Sequence, residues 1–159
     1  MMKIRLILIS LLLSYCSSTG INQEVIQITN LNINSLQNLD SDNETNLDSE
    51  FLIINYWASW CLECIEEHDL LISLNQIESF NGKVVLISFQ DNVSNSLDFL
   101  NKYGYGDLIY LIDNKSEFAI NSGVFGVPET HIIKEGKIIR KYIGPLSFSD
   151  VEEIIILYS

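Results

Sequence analysis

Cysteine is scarce in this chain of 159 residues: there are three, Cys16, Cys61 and Cys64. So few cysteines exclude a small scaffold stapled by several disulfides. Cationic side chains are also scarce, nine Lys and Arg against 21 Asp and Glu, for a formal net charge of −12. A surface that acidic repels phosphate backbones and argues against nucleic acid as a partner. It steers instead toward basic proteins. The N-terminal apolar run, Leu6 to Leu13, falls far short of the roughly 20 residues that a membrane-crossing helix needs. No internal repeat is present. Proline occurs only at 128 and 145. Against these shortages, 47% of the residues are hydrophobic, which suffices for one packed domain and is too many for a disordered chain.

The N-terminus has the layout of a secretory leader. Lys3 and Arg5 precede the apolar run, and Ser17, Ser18, Thr19 and Gly20 follow it. Residues 1–20 are therefore expected to be a signal peptide or lipoprotein leader, and residues 21–159 the domain. Leu13-Ser14-Tyr15-Cys16 resembles a lipoprotein cleavage box, with Tyr15 where a small residue is usual. Simple cleavage and lipidation both stay open. A lipid on Cys16 would tether the domain to a membrane.

Glu24 to Thr29 alternates as a strand does, and an Asn- and Asp-rich connection follows to Glu50. Phe51 to Trp57 is a continuous apolar run, the pattern of a central strand covered on both faces. A helix is expected from Leu62 to Phe80, with Ile65, Leu70, Leu71, Leu74 and Ile77 facing the sheet and Asn81-Gly82 ending it. Lys83–Phe89 and Asp107–Ile112 are expected strands, Ser94–Tyr103 and Ser116–Ser122 helices. A hairpin turns at Glu135-Gly136, and Ser147 or Ser149 caps a last helix to Tyr158. Strands that alternate with helices and finish on a hairpin define an α/β class with a central mixed sheet flanked by helices.

Chemistry concentrates at Trp60-Cys61-Leu62-Glu63-Cys64, which opens the first long helix. Two cysteines three apart at a helix start can close a small disulfide. Unpaired N–H groups give a helix N-terminus partial positive charge, which stabilises a thiolate there. Cys61 is therefore the expected nucleophile, and Cys64, one turn on, the resolving thiol. An inert disulfide or half of a zinc site are the bland readings of the same spacing. Haem attachment is excluded, because Ile65 and not His follows the second cysteine. Glu63, Glu66, Glu67 and Asp69 crowd the motif with no base nearby, and carboxylates raise a thiol's pKa. That biases the pair toward a reductant. Glu67 falls three residues after Cys64, near the same face. Cys61, Cys64 and His68, with His131 approaching, are a donor set for copper or zinc. Reduced pairs of this kind take up such metals adventitiously, so no metal is assigned, and the only cofactor is the redox-active Cys61–Cys64 disulfide itself. Pro128, preceded by Gly126-Val127, is a candidate cis-proline at a strand start.

Strand, Trp-Cys-x-x-Cys and helix resemble the thioredoxin superfamily. The string NYWASWC at 55–61 with Glu67-His68, and GVFGVPETHIIKEGKIIRKYIGPL at 123–146, are similar to its exported TlpA/ResA/CcmG (DsbE) branch, CcmG above all. The similarity runs from about Phe51 to Leu146, with gaps. It implies a thioredoxin-like fold with an extra N-terminal strand and a βα insertion between the second and third core strands. It also implies that Glu67 tunes the thiols and relays protons for Cys64. Pro128 would be cis and face the cysteines, with Trp60, Val127, Pro128 and Glu129 meeting the substrate. Leu62-Glu63 lacks a proline common in the family motif, and Asp69 replaces another that often kinks the helix. Asn55 stands where thioredoxin has a proton-shuttling Asp, and His131 where the family often has Phe.

The function implied is an exported thiol:disulfide oxidoreductase, periplasmic and free or tethered to the inner membrane. By resemblance it reduces the CxxCH cysteines of apocytochrome c during cytochrome c maturation. Its electrons would come from a membrane thiol transporter of the DsbD/CcdA type. The competing expectations are a general TlpA-like reductase of disulfide-bearing envelope proteins, a copper metallochaperone for oxidase assembly, and a binding module whose disulfide is only structural.

Overall fold

The computed structural model describes residues 32–39 and 47–159. The expected leader, Cys16 and the strand at Glu24–Thr29 lie outside the described residues. A single 3-10 turn, Ile33–Ser35, leads into a two-residue strand β1, Gln37–Asn38. There follow β2 (Phe51–Trp57), α1 (Leu62–Asn75), β3 (Val84–Phe89), α2 (Val93–Tyr103), β4 (Ile109–Asp113), α3 (Glu117–Asn121), β5 (Glu129–Lys134), β6 (Lys137–Ile143) and α4 (Phe148–Tyr158).

The six strands form one sheet in the order β1-β4-β3-β2-β5-β6. β2, β3 and β4 run parallel, with α1 and α2 as their crossovers. β5 returns antiparallel beside β2, β6 pairs antiparallel with β5, and β1 lies antiparallel on β4. α2 and β4 stand where the sequence implies an inserted helix and strand.

β2 is the middle of this arrangement, and its side chains alternate between the sheet's faces. Ile53 and Trp57 pack with Leu71 and Leu74 of α1, Phe99 and Leu100 of α2 and Ile154 of α4. Leu52, Ile54 and Tyr56 pack on the reverse face with Phe118 and Ala119 of α3 and with Leu47. Each isoleucine buried there contributes on the order of 2 kcal/mol of transfer free energy.

Local chemistry sets most element ends. The Asn92 side chain accepts from Asn95 N–H and caps α2. Ser147 and Asp150 form a reciprocal capping box on α4. Glu135 and Gly136 both adopt positive φ, as the tight turn of the β5–β6 hairpin requires.

Two expected boundaries move by more than one residue. α1 stops at Asn75, five residues short of Phe80. The Asn75 side chain is buried, accepts from Gly82 N–H and donates to the Asp107 carbonyl. Residues 76–82 coil as turns that bring Phe80 into the core. The buried stripe of α1 is also more polar than its isoleucines and leucines suggest: Glu67, His68 and Asn75 lie in it with Cys64, Leu71 and Leu74. β4 begins at Ile109, because Gly106 and Asp107 both take the left-handed conformation.

Candidate active site

The site starts where β2 ends. Cys61 has extended backbone and stands at the N-cap of α1. Its Sγ accepts from Cys64 N–H at 3.1 Å, so the sulfur satisfies one of the helix's unpaired donors. Cys61 and Cys64 are joined as a disulfide, S–S 2.10 Å, with Cα atoms 5.2 Å apart. Both cysteines are buried, whereas the flanking Trp60 and Leu62 are 61% and 63% exposed. The turn that carries them is braced from the loop after β3. Asp91 Oδ2 accepts from Ser59 N–H at 2.6 Å, and Trp60 Nε1 donates to the Gln90 carbonyl at 3.3 Å. Asp91 is not among the site residues expected from sequence, and its role arises only when β3 is laid beside β2.

Glu67 lies one turn beyond Cys64 on the buried stripe of α1. Its Oε1 accepts from Asn55 Nδ2 at 2.8 Å, and its Oε2 from Leu146 N–H at 2.8 Å. Burial pushes this carboxyl up from 4.5 to about 7, against the pull of those two donors. Asn55 also donates to Thr130 Oγ1 at 2.9 Å, which connects Glu67 through β2 to β5. Asn55, Thr130 and Leu146 were not singled out as site residues. They come from β2, β5 and the connection between β6 and α4, and no local pattern joins them.

The Val127–Pro128 peptide is cis, as the sequence suggests. The Pro128 carbonyl accepts from Gly144 N–H at 2.9 Å. Val127 is half-buried and packs against the core group that contains Cys61 and Cys64. Phe125, on the crest of the same loop, is 96% exposed.

Glu129 is placed otherwise than a substrate-facing residue. It is buried on the reverse face of the sheet, with Oε1 2.6 Å from His131 Nε2 and 3.7 Å from Lys141 Nζ. Thr130, the next residue, faces the Glu67 side. The structure thus brings Cys61, Cys64, Glu67 and Trp60 together on one helix start, adds the Val127–Pro128 loop, and leaves Glu129 out. Glu63, Glu66 and Asp69 are exposed on α1.

The donor set weighed for copper is not assembled. His68 is buried in α1 and its Nε2–H donates to the Gly104 carbonyl at 2.9 Å. His131 lies with Glu129 on the opposite face, where Tyr56 packs edge-on at 4.9 Å. Burial lowers the pKa of both imidazoles. Among the described residues, no group of three or more His, Cys, Asp and Glu is arranged to hold a metal ion.

A mixed sheet with a Cys-x-x-Cys disulfide at a helix N-terminus and a cis-proline before the antiparallel strand defines a thioredoxin-like protein. The Redoxin family profile matches residues 27–155, and the chain belongs to that family. Among curated relatives it is 33% identical to a probable thiol:disulfide interchange protein DsbE-2 of Pasteurella multocida, over 71% of this chain and 58% of that protein. It is 32% identical to the thiol:disulfide interchange protein CycY of Rhizobium leguminosarum bv. viciae, over 67% of this chain and 57% of that one. The chain thus spans less than two thirds of the length of these relatives. Among solved structures, a putative thiol:disulfide interchange protein DsbE from Chlorobium tepidum superposes with TM-score 0.60 at 20% identity, covering 69% of this chain and 78% of that one. The exposed lipoprotein thioredoxin of Streptococcus pneumoniae superposes with TM-score 0.66 at 18% identity, covering 76% and 96%. These likenesses carry the fold.

Proposed function

We propose that this chain is an exported thiol:disulfide oxidoreductase that works as a reductant. The observation that carries the reading is the place of Cys61 Sγ, capping its own helix through Cys64 N–H, with a near-neutral Glu67 carboxyl on the same buried stripe.

The step follows from those positions. In the reduced protein, Cys61 thiolate attacks one sulfur of a partner disulfide; the partner's S–S bond breaks and one partner thiolate leaves. The partner is then held through a mixed disulfide. Cys64 gives its proton to Glu67 and attacks Cys61, expelling the second partner thiolate. The partner gains two electrons, and Cys61–Cys64 becomes a disulfide again. A carboxyl with a pKa near 7 can take and return that proton at neutral pH. Exposed carboxylates at Glu63 and Glu66 disfavour the thiolate, which tilts the pair toward giving electrons.

The substrate class is a disulfide in an envelope protein, and the reading extends to the CxxCH cysteines of apocytochrome c. The relatives' designation as thiol:disulfide interchange proteins supports the reaction class, and the acidic surface suits a basic client. The reductant that recharges the pair would be a membrane thiol transporter.

The test is covalent trapping. A Cys64→Ser variant should accumulate mixed disulfides through Cys61 in cells, and apocytochrome c should be prominent among the partners identified by mass spectrometry. Capture of many unrelated envelope proteins would broaden the substrate class. Failure to capture any protein, together with no turnover of a dithiol–disulfide couple in vitro, would sink the reading.

A further inference from the structure

The loop between α3 and Pro128 carries Phe125 and Val127, yet it makes few hydrogen bonds of its own. Gly123 N–H donates to the Ile120 carbonyl, and Val124 N–H to the Ala119 carbonyl. From Phe125 to Val127 no backbone hydrogen bond is recorded among the described residues. One side chain on the reverse face of the sheet reaches both ends of this loop. Lys141 of β6 donates through Nζ to the Ser122 carbonyl at 2.9 Å and to the Gly123 carbonyl at 3.0 Å. The same ammonium stands 3.7 Å from Glu129 Oε1, and Glu129 is the residue directly after Pro128. His131, opposite Lys141 in the β5–β6 register, donates through Nε2–H to that same oxygen at 2.6 Å.

We propose that Lys141 is a positioning residue for the proline loop, which it clamps at both ends, with His131 holding the Glu129 carboxylate in place for it. The proposal rests on the thiol–disulfide reading for its consequence in substrate binding, but its structural content stands apart from that reading. Three physical points support it. Lys141 is three-quarters buried, so its bonds are screened less than those of a surface lysine. Charge-assisted bonds of this kind are about twice as strong as neutral ones. A carboxylate as buried as Glu129 needs compensation, and stripping one partner from a buried charge costs more than the pair itself contributes. This places the buried Glu129 in the support of the loop instead of at the substrate. His131 extends that support: a Phe at 131 could pack on Tyr56 but could not donate to the carboxylate.

The experiment compares Lys141→Met, Lys141→Arg and His131→Phe with the parent chain. Lys141→Met keeps the length of the stem and removes the donor. Amide exchange at Gly123 and Val124 should become about tenfold faster in Lys141→Met, with the amides of α1 unchanged. His131→Phe, which keeps a planar ring at the position and removes the donor, should move the same amides in the same direction by less. In reduction of a protein disulfide, Lys141→Met should raise KM about tenfold with kcat within about twofold, because the loop binds and does not react. The alkylation rate of Cys61 by iodoacetamide should not move, and Lys141→Arg should restore KM. Unchanged loop exchange in both Lys141→Met and His131→Phe would overturn the clamp. Faster loop exchange with unchanged KM would overturn its role in binding. A parent chain that exchanges no disulfides would sink the enzymatic reading, while the amide data would still decide the clamp.

Discussion

Burial moves the protonation of Glu67 into the neutral range. Its folded-state pKa lies above the unfolded value, 4.5 rising to about 7. Between those values the folded chain holds a proton that the unfolded chain has released. Stability from this group is therefore complete below about pH 4.5 and is lost as pH rises to 7. The shift corresponds to about 3 kcal/mol. Urea titrations of the oxidised protein across that window should show Glu67→Gln gaining on the parent by about 3 kcal/mol as pH rises. The glutamine starts with a deficit, because it can accept from only one of Asn55 and Leu146 without setting donor against donor. Curves that run parallel from pH 4.5 to 7 would show that burial does not govern this carboxyl.

At the scale of elements, the end of α1 is the informative case. Ile77 and Phe80 continue the apolar spacing of the helix, so the sequence offers no reason to stop at Asn75. The stop is tertiary: a buried amide holds Gly82 N–H on one side and the Asp107 carbonyl on the other. Asn75→Ala should cost about 2 kcal/mol in chemical denaturation, since two part-buried backbone groups lose the buried amide that pairs them. A loss below about 0.5 kcal/mol would mean that the turn after α1 is fixed elsewhere. The same division explains what was legible beforehand. β2, the Cys-x-x-Cys and Pro128 are local patterns, and each was readable in place. The two clamps on Glu67 come from residues 12 and 79 positions away, and the Asn55–Thr130 bond spans 75. Pro-Glu-Thr could be read as a motif, but which of Glu129 and Thr130 faced the thiols depended on how β5 lay beside β2. The register pairs Asn55 with Thr130 and Ile54 with His131, and that settled it against Glu129.

For the whole molecule, the excess of acids over bases has a kinetic consequence. Exchange with a cationic peptide disulfide should outpace exchange with an anionic one of equal reactivity at low ionic strength. The ratio should fall toward unity between about 0.01 and about 1 M salt, as the Debye length shrinks from about 30 Å to about 3 Å. Stopped-flow measurement on the two peptides decides it, and a ratio indifferent to salt would show that charge plays no part in encounter. The sheet also divides the molecule's labour. Asn55 and Tyr56 are neighbours in β2, yet one bonds Glu67 and the other packs against His131. Strand parity therefore sets which lesions this chain can survive. Inserting or deleting a single residue inside β2 would turn the amide away from the carboxyl and point a phenol at it, inverting both faces in one stroke. Lengthening a surface connection would leave that odd–even order intact, so variation in length across descendants of this chain belongs between its strands and not within them.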